Sequence, residues 1–514
     1  MSKARNLATL LESDGSVKAE KYVDNAGGQS TFVASGTLPN GTPVVLKADG
    51  TVEAVVLTGT TQNIPASSVY AFNGGTPLKP VVTFVPNTPN VFLITYTDNS
   101  NNGYLTGIIG TVSGTNITFG TKQVLKSAVI QDISVAFDLN TAGKFVVAFR
   151  WSAQSNQGHA LSGQISGTSI TTGSSYTFGT ASNHFMPLMF DPHNADKFII
   201  VYGNSARVGT VSGTSISYGT AVVNSVSFST GTCPVYASFD PITANRFVIT
   251  FGVGTNSATG VAKVATISGT SISLGADVTF KSSNIAYASV SFNPVIANQI
   301  LIIFADLNTS TWASGNINGV VGTISGNNIS FGTEVSANTV GHPTVDGPLA
   351  VTPDSSGRFV FPYRYGADAP THRLKVLGGS VTGTSVSFNS DVDIYNANAP
   401  LKLSLSIDPN NTSNFVVVAR IPAISDGIAI LGVLGNSITN LTSTNFIGIP
   451  DAAYTDGQTA TVTLPSGLST NQTGLSVGST YYVQSNGALS TAADNPSVEA
   501  GKALSATSIL LKGI

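Results

Sequence analysis

Twelve residues, Gly209-Thr-Val-Ser-Gly-Thr-Ser-Ile-Ser-Tyr-Gly-Thr220, are rewritten along the chain, and no other feature narrows the possible folds as far. Their core returns as Ser113-Gly-Thr-Asn-Ile-Thr-Phe, Ser166-Gly-Thr-Ser-Ile-Thr, Ser268-Gly-Thr-Ser-Ile-Ser, Ser325-Gly-Asn-Asn-Ile-Ser-Phe and Thr382-Gly-Thr-Ser-Val-Ser-Phe. The most degraded copy is Leu434-Gly-Asn-Ser-Ile-Thr. Counted by the motif glycines Gly114, Gly167, Gly213, Gly269, Gly326, Gly383 and Gly435, seven copies stand 46 to 57 residues apart. A period of that length marks one supersecondary unit per copy, which buries its apolar face only against its neighbours. The chain reads as one array, not as several unrelated domains.

Each repeat contains four extended pieces. A first strand runs into an Asp-Pro or Asn-Pro turn, as in Phe190-Asp-Pro, Phe239-Asp-Pro, Phe292-Asn-Pro and Ile407-Asp-Pro. There the side chain closes the turn and proline presets φ. Second strands follow: Phe198-Ile-Ile-Val-Tyr202, Phe247-Val-Ile-Thr-Phe251, Ile300-Leu-Ile-Ile-Phe304 and Phe415-Val-Val-Val-Ala419. They are continuously apolar, which requires cover on both faces. A third strand ends at Ser-Gly-Thr, a two-residue hairpin with glycine at the positive-φ position, and Ile-Ser-Phe-Gly-Thr carries the fourth. The fold class expected is all-β: a seven-bladed β-propeller of four-stranded blades over 63–445. A linear train of small β-sandwiches is the competing arrangement, but its outward faces would alternate. Pro362, inside Phe359-Val-Phe-Pro-Tyr363, predicts a bulge or weakened pairing in the sixth repeat.

The flanks differ from the array. Residues 1–30 form an attachment segment with a short helix over 2–12, capped by Ser2, stopped at Asp14-Gly15 and presenting Leu7, Leu10 and Leu11 on one face for docking. Residues 31–62 hold a hairpin around Asp49-Gly50. A related pattern, Gly478-Ser-Thr-Tyr-Tyr-Val-Gln-Ser-Asn-Gly-Ala-Leu-Ser490, returns in a C-terminal β-domain over 446–514. Closing the array brings residues near 60 and 445 together, so the flanking hairpins would combine into one small β-domain.

Charge and composition remove several function classes. The 23 Lys and Arg against 26 Asp and Glu give a formal charge of −3, with only 10% charged residues. Nothing there recruits a nucleic acid. The N-terminus has no apolar run of signal length, and no segment approaches 18 consecutive apolar residues, so neither a secretory signal nor a membrane span is expected. Cys233 is the sole cysteine, which rules out an intrachain disulfide.

Chemistry is sparse. His159, His184, His193, His342 and His372 fall in different repeats without metal-ligand spacing. Asp98-Asn-Ser-Asn-Asn-Gly103 imitates a calcium loop but lacks its terminal glutamate. The expectation is no enzyme, no cofactor and no metal. Function is sought instead on the side of the array carrying the connections from strand 2 to 3 and from strand 4 to the next repeat. Those connections hold Arg150, Trp151, Trp312, Tyr363, Arg364, Tyr365 and His372. Aromatics among amides and arginines suit recognition of a sugar or protein surface, although the same rings would also serve to cover the ends of the core.

Ser2-Lys-Ala-Arg-Asn-Leu-Ala-Thr-Leu-Leu11, Gly474-Leu-Ser-Val-Gly-Ser-Thr-Tyr-Tyr-Val-Gln-Ser-Asn-Gly487 and the ending Gly501-Lys-Ala-Leu-Ser-Ala-Thr-Ser-Ile-Leu-Leu-Lys512 resemble termini of tailed-bacteriophage virion proteins. The likeness is to tail-fibre and appendage proteins of marine phages, whose repeats the central Ser-Gly-Thr-Ser-Ile-Ser-Phe-Gly-Thr copies also resemble. The resemblance implies a tail fibre, appendage or decoration subunit, assembled in the host cytoplasm into the virion. Its implied partners are other virion proteins, further copies of itself on the particle, and a host surface glycan or protein. The competing reading is a lectin-like propeller or glycan-active enzyme unrelated to a virion. An enzyme would need paired carboxylates near the axis, and Val235-Tyr-Ala-Ser-Phe239 has none.

Overall fold

The computed structural model describes residues 28–63, 69–180, 186–225, 234–254, 258–282, 285–307, 315–337, 350–351, 357–365, 373–396, 400–484, 487–494 and 496–513. It is all-β and built from antiparallel sheets. Two compact units divide it: Met1–Thr61 with Asn436–Ile514, and Gln62–Gly435. The helix expected over 2–12, with Leu7, Leu10 and Leu11, lies outside the described residues, as does Cys233.

The flanking unit interleaves both ends of the chain. Gln29–Val33 pairs with Thr459–Thr463, and Val44–Leu46 pairs with both Val52–Ala54 and Phe446–Pro450. The two hairpins that look alike in sequence share a geometry. Lys47 N donates to Thr51 O (2.9 Å) and Gly50 N to Lys47 O (3.0 Å); Gln484 N donates to Ala488 O (2.8 Å) and Gly487 N to Gln484 O (2.9 Å). Gly50 and Gly487 have φ of 81° and 82°. The turn from Lys47 to Thr51 is thus a three-residue loop ending in a left-handed glycine.

In the central unit the second strands are the spine. Lys197–Tyr202 and Arg246–Val253 are buried at every position but one. Apolar clusters then join consecutive repeats. They hold Leu93 with Phe145, Ala148 with Ile200, Val201 with Phe251, Val248 with Ile302, Ile303 with Phe361, and Val376 with Val417. One further cluster holds Val416 and Val418 of the last repeat with Phe84 and Ile94 of the first. The first strands touch in the same cyclic order: Pro77–Phe84, Gln123–Phe137, Leu188–Phe190, Tyr236–Phe239, Ile285–Phe292, Ala350–Val351, Leu401–Asp408, and back to Pro77–Phe84.

Gln123–Phe137 serves two repeats. Its first part pairs with the third strand of repeat 1, Tyr104–Ser113, and its second part with the second strand of repeat 2, Lys144–Trp151. In the last repeat the chain's beginning intervenes, because Val69–Ala71 pairs with Ile428–Ile430. Gly435, expected to turn like the other motif glycines, instead lies within one strand, Asp426–Thr439. With an N-terminal strand beside Asp426–Thr439, this repeat has less need of a hairpin return. Pro362 also departs from expectation: the register from Arg358↔Ser380 to Tyr365↔Arg373 runs through Pro362↔Val376 without a bulge. Proline removes only the one bond its own nitrogen would donate.

Two kinds of glycine do different work. Gly114, Gly167, Gly213, Gly269 and Gly326 take φ near 60° at their hairpins, with open space where a Cβ would be. Their requirement is conformational. Gly110, Gly163, Gly209, Gly379 and Gly432 lie directly opposite Phe92, Phe145, Phe198, Phe359 and Phe415, whose rings cover them. A Cβ on Gly209 would stand 2.1 Å from the Phe198 ring. Gly209→Ala should therefore destabilise the fold by about 1–3 kcal/mol through overpacking. Gly213→Ala should cost about 1–2 kcal/mol through backbone strain alone. Urea titration of the two variants checks both values.

Candidate binding face

The strand 1–2 connections are fixed by side chains. Asp191 accepts from His193 N (2.9 Å), Asp240 from Ile242 N and Thr243 N (2.9 Å each), and Asn293 from Val295 N and Ile296 N (3.0 Å each). These turns do more than close themselves. Asp408 Oδ2 accepts from Asn90 N (2.8 Å) and Asp138 Oδ2 from Asp196 N (2.9 Å), so one carboxylate closes its own turn and holds the neighbouring repeat. His193 similarly reaches Asp240 O (3.3 Å). This side is committed to joining repeats.

On the other side, the strand 2–3 connections of repeats 1, 2 and 7 share one backbone. Each is a 3-10 turn, Asn99–Asn101, Ser152–Gln154 or Pro422–Ile424, followed by a left-handed Asn102, Ser155 or Ser425. In those three repeats the loops differ in their side chains and not in their backbone. Asp98 occupies the calcium-like stretch. It is fully buried, accepts from Ser100 N (3.1 Å) and faces Lys122 Nζ at 3.2 Å. Burial pushes its carboxyl up, but the Ser100 and Lys122 hydrogen bonds outweigh this and hold it below the usual value. Among the described residues no group of three His, Cys, Asp or Glu side chains could hold a metal ion.

The residues singled out for recognition are mostly strand residues. Arg150 is 8% exposed and binds Asp132 through Nε (2.9 Å) and Nη2 (2.8 Å); Lys79 of the preceding repeat also pairs with Asp132. Trp151 ends the strand Lys144–Trp151, packs on the cluster between repeats 1 and 2, and has Lys126 Nζ 4.6 Å from its ring centre. Tyr363, Arg364 and Tyr365 belong to Arg358–Tyr365. The apolar run extends further than the loop boundary drawn from sequence. Tyr363 is fully buried, and its hydroxyl donates to Asp391. Burial first, then that carboxylate, push its phenol far up, so it is a core residue unable to meet a partner. Tyr365 is half-buried under Lys375, 4.8 Å from its ring centre. Trp312 and His372 lie outside the described residues.

Sequence reading missed the charged networks beside these rings. Lys281 reaches Asp306 (2.7 Å) and Glu334 (2.9 Å), and Lys375 reaches Asp391 (3.0 Å) and Asp393 (3.4 Å). The partners stand 25 and 53 positions from Lys281 and 16 and 18 positions from Lys375, so no local motif announces them. His159 lies on the third strand of repeat 2, 7% exposed. It stacks 6.0 Å from Phe149 and edge-on 5.0 Å from Trp151.

No family model matches the chain, and no curated protein matches it. Among solved structures it is similar to the BP39L lectin from Burkholderia pseudomallei, at 12% identity and a TM-score of 0.49 over 71% of this chain and 99% of that one. It is also similar to Sqt1 from Chaetomium thermophilum, at 9% identity and 0.43 over 70% and 83% of the two chains. A protein from Lactobacillus plantarum matches at 11% identity and 0.40 over 70% and 96%. The class defined by the strands themselves is an all-β repeat protein. No helix among the described residues is long and apolar enough to cross a membrane.

Two outcomes test this account of the face. Arg150→Ala should destabilise the protein by about 3 kcal/mol, because it removes one partner of a buried ion pair; urea unfolding measures it. Burial and then Lys126 hold the His159 imidazole below its ordinary value of 6.5. Below pH 6.5 the unfolded chain takes a proton that the folded chain resists, so stability falls as pH falls through that range. His159→Phe should flatten that part of the stability profile, read from melting temperatures across pH.

Proposed function

We propose that Gln62–Gly435 is a seven-bladed β-propeller and that the chain is a structural protein of a tailed-bacteriophage virion, a tail fibre, appendage or decoration subunit without catalytic activity. The cyclic order of first-strand contacts and the cluster joining the last repeat to the first support the propeller. The virion reading rests on the resemblance of the termini and on one structural observation. Both ends of the chain fold into a single unit, with Gln29–Val33 paired to Thr459–Thr463. Such a unit suits attachment to a particle, and the repeats between its two halves present a face to a host surface glycan or protein.

A glycan partner is favoured by the half-buried rings of Trp151 and Tyr365, which end second strands in repeats 2 and 6. The part of each ring left accessible beside its lysine offers contact area at small entropic cost.

Mass spectrometry of purified phage particles should find the chain as a stoichiometric component. A chain lacking residues 1–27 should keep the folded repeats but fail to incorporate; normal incorporation, or absence of the full chain from particles, would sink the reading. On a glycan array, Trp151→Ala should weaken binding about tenfold or more, the equivalent of about 1.4 kcal/mol.

A further inference from the structure

Four first strands are kinked at one equivalent place. Five residues before the Phe or Ile near the end of the strand, a residue that is not glycine takes positive φ: Lys79 (50°), Asp132 (46°), Tyr287 (51°) and Lys402 (52°). Each falls at a break in register, between Leu78 and Val81, Gln131 and Ile133, Ala286 and Ser289, and Leu401 and Ser404. A left-handed residue bearing a side chain is disfavoured, and a bulge re-aims the side chain it carries. Four recurrences at one register position make this a built feature of the scaffold.

What stands across from the kink differs. The second-strand residue opposite the position before the bulge is Thr97, Arg150, Ala305 or Arg420. In repeat 2 the bulge carries Asp132, and Arg150 binds it through two nitrogens. In repeat 7 the arginine is present as Arg420, but the bulge carries Lys402, so a base occupies the position where repeat 2 has its carboxylate. Arg420 Nε is buried without a hydrogen-bond partner. Lys402 is exposed, and among the described residues neither it nor Arg420 has an ion-pair partner. The nearby carboxylate of Asp426 accepts instead from Asn73 N (3.2 Å) and Gly74 N (3.0 Å).

The adjoining repeat adds to the imbalance. Val82 N donates to Ser404 Oγ (3.2 Å) and Phe84 N to Ser406 Oγ (3.1 Å), which holds the first strands of repeats 1 and 7 side by side. That register sets the Lys79 bulge at the level of the Lys402 bulge. Lys79, Lys402, Arg150 and Arg420 thus stand along these bulges with Asp132 as the one carboxylate paired among them. A buried guanidinium nitrogen lacking a partner is costly to retain, and an oxyanion, carboxylate or phosphate, is the group that a guanidinium fork and an ammonium satisfy together.

We propose that Arg420 and Lys402 form an oxyanion subsite on the variegated side of the repeats, filled by a carboxylate or phosphate group. This deepens the reading of that side as the binding face. It depends on the register of repeats 7 and 1 and is independent of the virion assignment.

The test is isothermal titration of the whole purified chain with inorganic phosphate and, separately, with an oligoglucuronate, with neutral glucose oligomers as control. Binding of phosphate alone supports a free-anion site; binding of the oligoglucuronate, with or without phosphate, supports an acidic saccharide. Lys402→Asp gives Arg420 the acid that Arg150 already has, so it should weaken either probe about tenfold or more and raise the melting temperature of the unliganded protein. Lys402→Gln, which adds no new pair, should weaken binding less and carries the test if the aspartate variant does not fold. Failure of both probes to bind the natural chain, or equal affinity for the natural chain and both variants, overturns the proposal. Because the titration uses isolated protein, its failure is separable from failure of particle incorporation.

Discussion

Everything in the central unit depends on second strands that are apolar on both faces. A strand such as Lys197–Tyr202 cannot stop at one sheet, since leaving either side wet would expose large side chains. The only economical cover is the next repeat, and that repeat has the same need. The clusters therefore hand on from repeat to repeat, and the last is answered by Phe84 and Ile94 of the first. Phenylalanine rings lying over Gly110, Gly163, Gly209, Gly379 and Gly432 belong to this requirement. They fill the thickness of the layer where the opposite strand contributes no side chain. Repeat 4 replaces that glycine by Ala265 opposite Phe247, so the ring position there must differ in detail.

Polar groups sort by side. Where the turns are stereotyped, Asp138 and Asp408 divide their two oxygens between their own turn and the adjoining repeat. Those carboxylates are spent on assembly. On the opposite side, different charges are paired in different repeats: Asp98 with Lys122, Asp132 with Lys79 and Arg150, Lys281 with Asp306 and Glu334, Lys375 with Asp391 and Asp393. Variation in charge on a constant frame is how a repeat protein acquires an individual surface without disturbing its packing. The position of Arg420 beside Lys402 departs from this mutual neutralisation.

Strand content and turn positions were legible because they are local. Ser-Gly-Thr demands positive φ within two residues, and Asp-Pro closes over three, so neither needs distant help. Candidate site residues were less legible for the converse reason. Tyr363 looked like a loop aromatic because its strand continues past Pro362, and Arg150 looked available because Asp132, its partner, stands 18 positions earlier. Nothing in the residues around Lys79, Asp132, Tyr287 or Lys402 signals a left-handed kink. None of them is glycine, and the cause lies in the meeting of first and second strands.

By itself, then, the amino-acid sequence determined the unit of construction, short antiparallel strands with two fixed turns and an apolar spine, because these follow from side-chain type and spacing over a few residues. The sheets of repeats 3 to 6 hold five strands where four were expected, because two short strands, such as Ser215–Tyr218 and Val222–Val223, both pair with the third. Tertiary structure decided which distant strands meet, with Val69–Ala71 lying beside Ile428–Ile430. It also decided which charges are neutralised and that the chain's two ends share a sheet. Those outcomes depend on register between segments that can be several hundred residues apart, and register is fixed only when every apolar face has found its cover.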